Sequence, residues 1–311
     1  MKPGDLFVHE DGTVRAPWRI AFFCAATLAS GVAVTGIVYP LVAATPLVAL
    51  ARQWNVPLNQ LGTLLALLLG TWASLRFVDG AATVEWSRLD FGRAALGWRA
   101  LAAGLAAGTL AILLPSAILL AVGRLRFEPQ PTVEPWAAAA RAALVMLGPA
   151  ALVEELAVRG YLLSVLRDAI RAPGAVAATS VLFGLLHLFN PGPTIVSTAV
   201  VALAGVFLAT VRLATGSLFA AWTAHFAWNF VQAALLHAPV SGLAVPTPGY
   251  RLADRGPEWL TGGAWGPEGG AAAAAGLLVA TFLLVWRPRK SVMRGEPHRA
   301  TDDRFERRTD R

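Results

Sequence analysis

Two adjacent carboxylates sit inside an apolar block, Ala151-Leu152-Val153-Glu154-Glu155-Leu156-Ala157-Val158-Arg159. An ionisable side chain near the middle of a bilayer costs roughly 2.5–3.5 kcal/mol, so a pair kept for packing alone is expensive. On a helix Glu155 and Arg159 are four residues apart and share a face, where they can form a partly desolvated ion pair. Glu154 lies about 100° further round. No partner for it exists in its own helix, which leaves it free to take a proton. Two other apolar blocks carry what a proton-transfer site needs. Phe183 and His187 are four apart, so the ring can pack beneath the imidazole, and His225 and Asn229 repeat the same spacing. The chain has five histidines. Only these two fall within apolar blocks; His9 and His298 lie in the tails and His237 ends a block.

The blocks that must position these side chains are membrane helices. Of 311 residues 56% are hydrophobic and 14% charged, and the mean hydropathy is +0.57. A soluble domain carries roughly 25% charged residues, and the apolar residues here run in blocks near the ~20 needed to cross a bilayer. The composition therefore excludes a soluble enzyme and predicts an all-α, polytopic transmembrane helix bundle of about eight spans: 20–39, 58–78, 100–123, 150–169, 174–189, 194–213, 217–236 and 270–286. Residues 1–19 read as a cytoplasmic N-terminal segment, 237–269 as a Pro/Gly-rich loop, and 287–311 as a charged, disordered tail. Gly148-Pro149 offers a break, because proline removes a helix donor. It divides a half-span at 136–147 from a crossing that begins near Ala150, within a functional core of about 136–236.

The net charge of +7 does not point to nucleic acid, since the basic residues are spread along loops and one tail without interleaved aromatics. Most of the 26 Lys and Arg residues, Arg212 among them, fall in segments on the side of the N-terminus. The positive-inside rule then puts both termini in the cytoplasm. The single cysteine, Cys24, permits neither an intrachain disulfide nor a Cys-rich metal site.

In this order the three patterns resemble the motifs of the CPBP family of intramembrane proteases, which comprises type II CAAX prenyl endopeptidases and bacteriocin-processing bacterial relatives, also called Abi. Glu154, Glu155 and Arg159 match its Glu-Glu-x-x-x-Arg motif, Phe183 and His187 its Phe-x-x-x-His, and His225 and Asn229 its His-x-x-x-Asn. Arg159-Gly160-Tyr161-Leu162 and Thr215-Gly216-Ser217-Leu218 agree as well. Val158 departs from the pattern, since many members have an aromatic there. Arg15-Ala16-Pro17-Trp18-Arg19 and Trp259-Leu260-Thr261-Gly262-Gly263 look like one bacterial branch and read as interface anchors.

The resemblance implies an endopeptidase in which Glu154 is the general base on a water also held by His187. His225 and Asn229 would donate to the oxyanion, and Glu155 and Arg159 would orient the set. The substrate would be a membrane-associated peptide or protein, and the Ala/Arg/Gly-rich composition suggests a bacterial inner membrane. No cofactor is favoured. Zinc held by Glu154, His187 and His225 is the less favoured alternative, because the His-Glu-x-x-His helix of zincins is absent. Two other function classes compete. A non-proteolytic scaffold or self-immunity protein of the same fold would tolerate loss of Glu154. A proton-coupled transporter would need a polar path and repeat symmetry, and the chain offers neither.

Overall fold

The computed structural model describes residues 6–54, 56–80, 83–131 and 135–286; the charged tail expected at 287–311 lies outside them. Among the described residues, eight helical segments form the bundle. These are α1 (Ala16–Ala43), α2 (Leu58–Val78), α3 (Trp98–Ala121), α4 (136–169), α5 (172–189), α6 (Ile195–Thr215), α7 (218–236) and α8 (Ala271–Trp286). Five stretches are long and apolar enough to cross a membrane: α1, α2, α3, Trp136–Phe189 and α6. The fourth of these is two helices, since Ile170 and Arg171 leave helical backbone, Arg171 with φ +63°. The chain folds back there, and Leu163 of α4 and Ala175 of α5 pack together against Ala209 of α6. The architecture is a helical membrane bundle, as the composition requires.

The expected break at Gly148-Pro149 is not there. One α-helix runs from Trp136 through Pro149 to Glu155, about 30 Å at 1.5 Å per residue, and the chain continues helically to the bend. Proline frees one backbone acceptor, and within a bundle neighbouring helices can compensate for the loss. The acceptor freed by Pro149 is the Val145 carbonyl. Three residues on, the Trp222 indole of α7 donates to the Gly148 carbonyl at 2.8 Å and ties this stretch of the helix to its neighbour. The irregularity comes later, as a π turn over Leu156–Gly160 directly after the glutamate pair.

Segment α7 is central and packs on α3, α4 and α6. Its approach to α3 is close enough to need glycine. A Cβ on Gly104 or Gly108 would lie 2.1 Å and 2.0 Å from the carbonyl oxygens of Ala220 and Ala224, the small-residue packing that lets membrane helices touch backbone to backbone. Local signals set its start. Gly216 ends α6 in the left-handed region at φ +63°, and the Ser217 hydroxyl caps α7 by accepting from Ala220 N at 3.0 Å.

The loops are more ordered than their composition suggests. Strand β1 (Leu125–Gln130) pairs antiparallel with β2 (Gly249–Asp254), and short helical turns occupy 258–269. Residues 249–254 of the expected 237–269 loop are thus tied to the segment between α3 and α4. At the opposite end of the bundle Arg19 binds Asp79 through two nitrogens, at 2.9 and 3.1 Å, and the Tyr161 hydroxyl donates to the same carboxylate at 3.0 Å.

Candidate active site

All six residues singled out by type and spacing, with Phe183, lie close together inside the bundle. The two glutamates have opposite environments. Glu155 is fully buried. Its Oε1 accepts from Arg159 Nη1 at 3.2 Å and pairs with His225 Nδ1 at 3.0 Å. The Glu154 side chain is 39% exposed, yet its Oε2 faces inward, 3.9 Å from His187 Nε2 and 3.8 Å from His225 Nε2. That oxygen is buried and has no hydrogen-bond partner in the protein.

These distances exceed a direct hydrogen bond, and a polar separation of this size suits a bridging water. A cavity of about 30 Å³, room for one or two waters, is lined by Phe183, His187, His225 and Asn229 among others.

The imidazole protons follow from their partners. His187 Nδ1 lies 2.8 Å from the Phe183 carbonyl oxygen, which can only accept, so Nδ1 carries the proton. In the neutral ring Nε2 is then a lone pair directed at Glu154. His225 Nδ1 faces the carboxylate of Glu155 in the same way. The second imidazole thereby joins the two glutamates, a link between helices that no spacing within one helix reveals.

Phe183 does more than support one histidine. Its ring lies 4.6 Å from that of His187 and 5.9 Å, edge to face, from that of His225. The Arg159 guanidinium stacks on it at 4.0 Å, a desolvated cation–π contact. One aromatic ring thus fixes the relative positions of all three motifs.

Two functional neighbours escaped the sequence reading. Arg212, which the sequence offers only as one more cytoplasmic-side basic residue, is fully buried in the last turn of α6. It donates to the Gly160 carbonyl (3.2 Å), the Leu89 carbonyl (2.9 Å) and the Ser164 hydroxyl (2.9 Å), and it pairs with Asp90 at 3.3 Å. It therefore clamps the π turn that carries Arg159. A basic residue near a helix C-terminus resembles an ordinary complement to the helix dipole, which hid it. Glu268 belongs to the Pro/Gly-rich loop, where an acidic residue draws no notice, but it is buried and lines the cavity beside His225 and Asn229.

No group of three or more His, Cys, Asp or Glu side chains among the described residues is arranged to hold a metal ion. Residues 135–231 match the family model of the Rce1-like type II CAAX prenyl endopeptidases. No curated protein and no solved structure matches the chain. The matched stretch runs from the start of α4 into α7 and contains every residue of the three motifs. Over residues 135–231 the chain is therefore similar to the CPBP, CAAX-protease-like family of membrane proteins.

Proposed function

We propose that this protein is an intramembrane endopeptidase of a bacterial inner membrane, with both termini cytoplasmic, in which Glu154 activates the hydrolytic water. The observation that carries the reading is the inward Glu154 Oε2, unpartnered and within 4 Å of two imidazole nitrogens. A water between them donates one hydrogen to Glu154 and the other to the His187 Nε2 lone pair. As the oxygen attacks the scissile carbonyl, Glu154 takes the proton. His225, in its imidazolium form, donates from Nδ1 to Glu155 and from Nε2 to the developing oxyanion, with Asn229 as the second donor. Collapse of the tetrahedral intermediate breaks the C–N bond. Glu154 returns its proton to the leaving amine, giving a carboxylic acid and an amine. Glu155, Arg159 and Phe183 hold His225 and His187 in place throughout.

The substrate class is a membrane-associated peptide or protein, because the inward Glu154 carboxylate lies among membrane helices. The reading needs no metal. The test is cleavage of a quenched fluorescent peptide library by purified protein in detergent, before and after exhaustive chelation. Cleavage that persists within about twofold supports the water mechanism. Loss of cleavage that added zinc restores assigns Glu154, His187 and His225 to a metal instead.

A further inference from the structure

Beyond the three motifs, the bundle holds another buried carboxylate at the site, and its partners tie the motif helices together. Glu268 sits in the short turn Pro267–Gly269 just before α8. Its Oε2 accepts from the Trp228 indole at 2.5 Å and from Gln232 Nε2 at 2.8 Å. Its Oε1 accepts from the Ser241 hydroxyl at 2.7 Å and from the Ser241 backbone N–H. Trp228 and Gln232 flank Asn229 on α7. The chain of contacts continues, because the Ser241 carbonyl accepts from Asn190 Nδ2 at 3.1 Å, three residues beyond His187. One carboxylate thus links the end of α5, which presents His187, with the turn of α7 that presents Asn229.

The loop is shaped to deliver it. Gly266 has φ +104°, and a Cβ there would lie 2.2 Å from the Pro239 carbonyl oxygen, so only glycine allows this close approach. The Trp259–Gly263 segment, read from sequence as an interface anchor, is followed by a turn folded onto the site. All four donors to Glu268 are neutral, so the group is not half of an ion pair. A buried carboxylate without a countercharge is costly, and here it is offset only by four hydrogen bonds that fix where neighbouring helices sit.

We infer that Glu268 is a positioning residue of the active site, setting the separation of His187 from Asn229 and His225 through Ser241–Asn190 on one side and Trp228–Gln232 on the other. The inference deepens the protease reading and rests on it for its kinetic consequence, though not for its geometry. In Glu268→Gln the amide offers one oxygen where the carboxylate offered two, and its NH₂ faces N–H donors. A displacement of about 1 Å at a catalytic group can cost ~100-fold in rate. The expected effect is a 10- to 100-fold fall in kcat with KM within about threefold.

The test joins kinetics to NMR of the full chain labelled at its five histidines, in detergent. Glu268→Gln should move the ring signals of both His187 and His225 while His9 and His298 stay fixed. Ser241→Ala, which removes one donor, should move them less, and Glu268→Asp should recover part of the lost kcat. If Glu268→Gln does not fold, the other two variants carry the same comparison. Histidine signals that superimpose on wild type in folded variants, or a melting temperature that falls while kcat holds, would overturn the inference. A wild-type chain that cleaves nothing sinks the protease reading but leaves the histidine signals to decide this one.

Discussion

Two buried charge clusters adjoin at the π turn Leu156–Gly160, and they are satisfied to different degrees. Arg212 reaches four acceptors on two other segments and leaves only its Nε without a partner. At the motif cluster, Glu154 Oε2, Glu155 Oε2 and the Nε and Nη2 of Arg159 all lack hydrogen-bond partners in the protein. Buried polar atoms are normally paired, and each exception calls for a reason. At the Arg212 clamp the hydrogen bonds are used to join helices. At the motif cluster, capacity for a water and a peptide is left open. The difference separates a brace from a reactive site although both are made of charged side chains among membrane helices.

That comparison orders the expected effects of mutation. Glu154→Gln keeps size and polarity but removes the base, so cleavage should fall about 10⁴-fold, the upper range for general-base catalysis. Its melting temperature should stay near wild type, because no protein hydrogen bond is lost. Arg212→Met strands the Leu89 and Gly160 carbonyls in the interior and takes the partner from the half-buried Asp90 carboxylate. Removing one partner of a buried charged network costs about 3–5 kcal/mol, to be read as a lowered melting temperature in a thermal scan. Asn229→Ala removes one oxyanion donor, and kcat should drop about 10²- to 10³-fold, with KM little changed in steady-state kinetics.

The smallest effect belongs to the strand pair outside the helices. Arg251, and then Arg255, hold the Glu128 carboxyl below its usual value. A depressed folded pKa means that the contribution is present above the unfolded value near 4.5 and is lost as pH falls through the folded one. The groups are exposed, so acidification should loosen the β1–β2 pair, seen as faster proteolysis there, while the helices' melting hardly moves.

The motif residues were legible because ionisable groups stand out in apolar text and because i, i+4 spacing fixes which of them share a face. The helical membrane architecture was legible for the same reason, since block length and low charge leave few alternatives. What periodicity cannot carry was missed. The hydrogen bond from His225 to Glu155 joins helices 70 residues apart in sequence. The burial of Arg212 depends on where Leu89 and Gly160 come to lie. Glu268 follows from a glycine-built turn whose partners come from α7 and from Ser241, far from it in sequence. Pro149 does not end the helix, because within a bundle packing on neighbouring helices outweighs the one backbone hydrogen bond a proline removes.

The most direct test measures peptide cleavage and thermal melting together, in one detergent, for wild type, Glu154→Gln and Arg212→Met. The account expects Glu154→Gln to melt with wild type and cleave nothing measurable. It expects Arg212→Met to melt several degrees lower and, below its transition, to cleave within about tenfold of wild type. A Glu154→Gln protein that keeps more than a tenth of wild-type cleavage, or that loses cleavage only in step with its fold, would contradict the assignment of Glu154 as the base.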